Sequence, residues 1–256
     1  MTPYRILTAA VGEDPGRPLL TYYRADTGER TELSRVTTHN WVAKSANLLR
    51  DELGLDEGDR ADLLLPLHWQ TAVLLLGCWA VGLRTRVWAA GTTPDRRGAL
   101  VIAAAERLAE ARAVPGDGAV LGVSLRPFGK PLTDPPAGVT DYAAEVLGQA
   151  DQFGAEAGPE AAVLDLGERL WTATDLADEA SSAATELGLG PADRVLCALD
   201  YATLPGLRAG LLGPLAGRSG IVLAPGADRA WLARLVRPER ITAAAGVDID
   251  GLRRLG

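Results

Sequence analysis

The sequence predicts an α/β fold, made of two similar subdomains of mainly parallel sheet flanked by helices. Three observations predict it. Short apolar runs that end at Pro or Gly alternate with longer stretches whose apolar residues recur at helical spacing. The alternation runs strand, helix, strand, the rhythm of a parallel sheet. One block of this pattern also recurs along the chain at an offset of 134 residues, from Leu53 to Leu187.

The elements follow in order. Leu19–Tyr23 and Arg30–Leu33 flank Asp26, Thr27 and Gly28, which reads as a hairpin with a longer loop. Thr37 or Thr38 is placed to cap a helix carrying Trp41, Val42, Ala46, Leu48, Leu49 and Leu53, stopped by Gly54. Asp59–Leu65 is a buried strand ended by Pro66, His68–Val81 a helix ended by Gly82, and Arg86–Ala90 a strand. A helix is expected over 95–113 and a strand over 119–123. The Pro- and Gly-rich stretch 126–138 reads as irregular, and Asp141–Gln149 as helical. The polar, Gly-rich stretch Asp151–Glu160 is taken as the boundary between a first subdomain, 1–150, and a second, 151–256.

Beyond it the pattern returns. Leu53-Gly54-Leu55-Asp56-Glu57-Gly58-Asp59-Arg60 is matched by Leu187-Gly188-Leu189-Gly190-Pro191-Ala192-Asp193-Arg194. At the same offset Ala61–Leu65 falls on Val195–Leu199, Thr71–Gly82 on Pro205–Ala216, and Val87–Ala90 on Ile221–Ala224. The second half is therefore expected to be an internal repeat of the first.

Composition narrows the function classes. With 47% hydrophobic and 23% charged residues, the chain has the make-up of a globular protein and not of a disordered one. A formal charge of −7 disfavours nucleic-acid backbones and anionic membranes as partners. The longest apolar run, Thr71–Leu83, is shorter than the roughly 20 residues a membrane span needs. Met1–Ala10 lacks the pattern of a signal peptide, and Cys78 and Cys197 lie in apolar stretches, so a reducing cytoplasm is expected.

Several residues tempt a catalytic reading. Gly91-Thr92-Thr93-Pro94 has the look of a phosphate-binding turn, but Thr93 and Pro94 suit a helix cap. His68 follows a strand end, where α/β folds place ligands, yet a capping role explains it as well. His39 sits near a helix start, as a cap or facing solvent. With two histidines and two separated cysteines no metal site is expected, and no Gly-x-Ser-x-Gly elbow exists. Asp165, Glu168 and Asp175 form an acidic group that reads as a solvated turn with an acid at a helix start, ahead of acid–base chemistry.

The stretch from Leu33 to Gly82 resembles the N-terminal part of the adenylate-forming (AMP-binding) ligases, the superfamily of acyl-CoA synthetases. The residues that carry the resemblance are Leu48-Leu49-Arg50, Gly54-Leu55, Gly58-Asp59-Arg60, Leu65-Pro66 and the helix ending in Gly82. Asp193–Leu196 through Leu211–Leu215 is similar to the family segment after its phosphate loop. The resemblance implies a fold of two related α/β subdomains and an ancestral chemistry of activating carboxylic acids with ATP.

The departures imply that this chemistry is lost. The family's phosphate loop is rich in Ser, Thr and Gly and ends in Pro-Lys-Gly. Its place here, after Ala161–Leu164, holds Asp165-Leu166-Gly167-Glu168-Arg169-Leu170. Thr203 stands where many members have histidine, and neither Lys44 nor Lys130 has the context of the catalytic lysine. The chain to Gly256 corresponds to about half of a family member, so a cut-down relative is expected. No catalytic, cofactor-binding or metal-ligating residue, and no cofactor, is assigned. The leading expectation is a non-catalytic binding or interaction protein. The alternative is an enzyme or enzyme subunit that retains nucleotide or acyl binding and needs a partner chain. Self-association or a protein partner is expected, with Trp231, Leu232 and Leu235 as contact residues.

Overall fold

The computed structural model describes residues 1–255. It opens with helix α1 (Pro3–Glu13), whose cap is Thr2: the hydroxyl accepts from the Arg5 amide at 3.3 Å and Pro3 fills the first turn. Strands β1 (Pro18–Arg24) and β2 (Glu29–Ser34) form the expected hairpin. Helix α2 (Arg35–Asn47) starts earlier than Thr37, because Ser34 does the capping: its Oγ accepts from the Thr37 amide at 3.2 Å. A π turn at Leu48–Glu52 ends it. Then come β3 (Arg60–Leu64), α3 (Trp69–Val81) and β4 (Arg84–Val87).

The next stretch corrects the expectation of one long helix over 95–113. Strand β5 (Leu100–Ala104) occupies its middle, and only a 3-10 turn at Ala105–Arg107 and the short α4 (Leu108–Ala113) are helical. All five residues of β5 are buried, and a short all-apolar run has no period to separate a central strand from a buried helix. Strands β6 (Ala119–Val123) and β7 (Val139–Asp141), helix α5 (Tyr142–Val146) and strands β8 (Ala162–Asp165) and β9 (Leu170–Thr172) follow. The second part holds α6 (Ala173–Glu186), β10 (Arg194–Cys197), α7 (Leu204–Leu207), a π turn at Arg208–Leu212, α8 (Gly213–Ala216) and β11 (Gly220–Leu223). It ends with α9 (Arg229–Leu235), β12 (Ala243–Ala245) and β13 (Arg253–Leu255).

Two sheets result. The six-stranded sheet has the order β13-β12-β10-β11-β1-β2, the seven-stranded sheet β7-β6-β5-β3-β4-β8-β9. In each, only the terminal hairpin strand, β2 or β9, runs antiparallel to its neighbour.

The compact units do not divide at residue 150. One comprises Met1–His39, Leu67–Ala72 and the chain from Thr174 on, the other Asn40–Pro66 and Val73–Ala173. Strand pairing is the reason. Hairpin β1–β2 hydrogen-bonds to β11, with Leu20 opposite Ile221 and Tyr22 opposite Leu223. Hairpin β8–β9 joins β4 through Thr85 and Leu164. The buried Thr85 hydroxyl fixes that second junction, accepting from Trp79 Nε1 (2.8 Å) and donating to the Val163 carbonyl (2.7 Å). Reading along the chain assigns a hairpin to the helix that follows it, whereas its strand partner here is remote in sequence.

The seven-stranded sheet has a dry centre: Leu63, Leu64, Val101 and Ile102 are fully buried. Each contributes about 1.5–3 kcal/mol relative to exposure.

Candidate functional site

The place where the resemblance implies a phosphate loop is the β8–β9 connection. Asp165 and Leu170 pair across the hairpin, leaving a loop of Leu166, Gly167, Glu168 and Arg169. The amide of Leu166 donates to the Arg169 carbonyl (3.2 Å) and that of Glu168 to the Leu166 carbonyl (3.1 Å). The Gly167 amide donates to Asp165 Oδ1 at 2.7 Å. Gly167 sits at φ +84°, a region open to glycine and strained for other residues. A phosphate nest needs consecutive N–H groups that point outward together. Three consecutive N–H groups of this turn are instead used within it. Glu168 is exposed at the tip, Arg169 lies over the Trp171 ring at 3.8 Å, and Arg86 Nη1 approaches Asp165 at 4.0 Å. Asp175 is in the first turn of α6, as expected of an acid at a helix start.

His68 is 1% exposed, and its Nδ1 accepts from the Gln70 amide at 3.1 Å at the start of α3. That bond fixes Nδ1 as the unprotonated nitrogen. The ring lies 4.2 Å from that of Tyr22. Burial depresses its pKa to about 3, so the imidazole is neutral. His68 is a buried capping residue, unavailable for proton transfer to a solvent-borne substrate. Thr203 also caps: its Oγ1 accepts from the Gly206 amide and donates to the Asp200 carbonyl, opening α7. His39 neither caps nor stands free. It lies within α2, its Nε2 3.3 Å from Thr8 Oγ1 and its ring stacked on Tyr4.

The Gly91–Pro94 turn precedes no helix, so Thr93 is not a cap. Thr92 folds back on the Ala89 carbonyl through both its amide and its hydroxyl, and Arg107 ties the Thr92 and Trp88 carbonyls. Lys44 Nζ donates to the Leu147 and Gln149 carbonyls, a structural bracket. Cys78 and Cys197 are buried thiols, pushed up to about 12 by burial. Among the described residues no cluster of His, Cys, Asp and Glu is arranged to hold a metal ion, and no helix is long and apolar enough to cross a membrane.

Trp231, Leu232 and Leu235, expected on a contact face, pack inward. Leu232 and Leu235 are buried with Val222, Ile241 and Ala244, and Trp231 meets the Tyr23 ring edge-on at 5.8 Å. Helix α9 covers its own sheet.

No family profile matches the chain. A protein of Mycobacterium tuberculosis (strain ATCC 25618 / H37Rv), described as a TIGR03089 family protein, is 42% identical over 242 residues, which is 93% of this chain and 95% of that protein. The chain belongs to the TIGR03089 family. An acetyl-coenzyme A synthetase of Gamma-proteobacterium EBAC31A08 is 32% identical over 82 residues, 32% of this chain and 13% of the synthetase. The acyl-CoA synthetase of Brucella canis superposes with a TM-score of 0.80 at 19% identity, over 96% of this chain and 47% of the synthetase. This member of the TIGR03089 family thus has the fold of the N-terminal part of the adenylate-forming ligases and spans about half the length of that solved structure.

Proposed function

We propose that this chain is a non-catalytic homologue of the adenylate-forming ligases: a binding or interaction protein on their N-terminal scaffold, without their carboxylate-activating chemistry. The observation that carries this is the turn at Leu166–Arg169. Activation of a carboxylate by ATP needs preorganised donors where charge develops on the phosphates. The three amides in that place are satisfied internally, and Asp165 and Glu168 add negative charge beside them. Freeing the amides would break three hydrogen bonds, each contributing about 1 kcal/mol, and the two carboxylates of Asp165 and Glu168 beside the two guanidiniums of Arg86 and Arg169 leave the turn no surplus positive charge for a polyanion.

The element order supports a second part of the proposal, that the scaffold arose by internal duplication. Hairpin, helix, strand, helix, strand occurs as β1-β2-α2-β3-α3-β4 and again as β8-β9-α6-β10-α7/α8-β11.

ATP–pyrophosphate exchange tests the loss of activity. Protein prepared free of host ligases, offered aliphatic, aromatic and amino acids in turn, is expected to exchange no faster than buffer. Carboxylate-dependent exchange that co-purifies with the chain would overturn the proposal.

A further inference from the structure

The unit built on the six-stranded sheet carries a charged cleft of about 480 Å³. It lies at the amino ends of β1, β10 and β11, marked by Pro18, Arg194 and Gly220. The arginines lining it are Arg17, Arg30, Arg194 and Arg240; the acids are Glu32, Asp193 and Glu239.

The acids are matched one by one. Glu239, 7% exposed, accepts from Arg30 Nε (2.9 Å), Arg194 Nη2 (2.5 Å) and the Tyr23 hydroxyl (2.5 Å). Glu32 accepts from Arg30 (2.7 Å) and Arg194 (3.2 Å). Asp193 pairs with Arg253 at 2.8 Å. Two carboxylates and two guanidiniums thus neutralise one another, and Asp193 is neutralised by Arg253. Arg17 and Arg240 are left over. Arg17 donates to an uncharged acceptor, the Pro191 carbonyl. The Arg240 guanidinium has no hydrogen bond or ion pair among the described residues. The cleft therefore holds two unmatched positive charges on a chain of formal charge −7.

We propose that this cleft binds a small anion of the phosphate class, a phosphorylated metabolite or a free polyphosphate, through Arg17 and Arg240. Guanidinium forks match phosphate oxygens in geometry as well as charge. Arg30 and Arg194 are already locked by their carboxylates, so they add no net charge but hold the cleft wall in place without further ordering. The site does not depend on the loss of ligase chemistry. It lies at the strand ends opposite those where α/β sheets usually seat ligands, and none of its residues belongs to the β8–β9 turn.

Calorimetric titration at pH 7.5 and fixed ionic strength tests it, with inorganic pyrophosphate, inorganic phosphate and succinate as probes. The wild-type chain is expected to bind pyrophosphate saturably, with phosphate weaker and succinate at least tenfold weaker. The R17Q/R240Q double variant, which leaves every matched carboxylate in place, should keep its circular dichroism and thermal midpoint while losing at least tenfold in affinity. Each single variant should lie between. Absence of saturable binding, equal affinity in the double variant, or succinate binding as tightly as pyrophosphate would each overturn the proposal. ATP–pyrophosphate exchange is unaffected by any of these outcomes, so the two proposals fail separately.

Discussion

The β8–β9 turn and the arginine cleft meet charge in opposite ways. In the turn, the N–H groups of Leu166, Gly167 and Glu168 close on acceptors within it, and its two acids, Asp165 and Glu168, stand among two arginines, Arg86 and Arg169. In the cleft, three acids are each matched and two arginines remain. Resemblance to a phosphate-using family points to the turn, yet the surplus positive charge lies in the other unit. A resemblance only names a place to look. Hydrogen bonds already made decide whether an anion can sit there now.

The largest effect expected belongs to the cleft. Glu239→Gln removes a buried charge and leaves Arg30 and Arg194 under-matched, so urea unfolding should show a loss of about 3 kcal/mol. A loss below about 1 kcal/mol would mean that the matched pairs are not fixed and that the cleft's surplus charge is not defined.

The same unit also excludes charge, at His68. Its folded pKa of about 3 lies below the usual histidine value. The unfolded chain therefore takes up a proton as pH falls below about 6.5, while the folded chain does not. The stability is fully present above that pH and is lost toward pH 3. Between pH 6.5 and 5 the loss should be about 2 kcal/mol, and His68→Phe should flatten the slope. For Glu239 and Glu32 burial acts upward but is outweighed, by Arg30 with Tyr23 and Arg194 at Glu239, and by Arg194 and Arg30 at Glu32. Both are held below the ordinary carboxylate range, so their loss comes at lower pH, while Glu29, raised by burial, acts with the opposite sign, and the difference between wild type and His68→Phe isolates the His68 part. An unchanged slope in the variant would mean that His68 is protonated in the fold.

In the turn, Gly167→Ala should cost about 1 kcal/mol, because alanine is strained at a positive φ. The nearest atom to an added Cβ, Arg86 Nη2, is 3.7 Å away, so backbone strain is the whole effect. No loss on thermal unfolding would mean that the turn is open and its amides available. The smallest change is Arg240→Gln alone. It should stay within about 0.5 kcal/mol, in contrast to Glu239→Gln, which separates the unmatched arginine from the matched network.

Most of the fold was legible wherever an apolar run met a strong stop. Leu63–Leu65 before Pro66 and Val195–Cys197 after Asp193-Arg194 announced β3 and β10. Strand β12 gave no such signal: Ala243–Ala245 has no β-branched residue and is a strand because it pairs with Val195–Cys197. Helix α1 did have one, the Thr2-Pro3 cap ahead of Tyr4, Leu7 and Ala10 at helical spacing. At the candidate site, the acidic composition of the turn could be read directly, but not which acceptors its amides would choose. The cleft was invisible because Arg17, Arg30, Arg194 and Arg240 converge only when β1–β2 docks on β11. Leu232 and Leu235 showed a helical face, and a face alone does not say which neighbour covers it.

The pairing of β1 with β11 also sets a timetable. Leu20 and its neighbour Ile221 are about 200 residues apart in the chain. A ribosome adding 5–20 residues per second separates their emergence by about 10–40 s. Throughout that interval Leu19, Leu20 and Tyr22, all buried in the finished fold, have no strand to dock against. The growing chain is therefore expected to show its first hairpin to chaperones before its own sheet can receive it, and that closure, the most non-local step in the topology, is the natural bottleneck of folding.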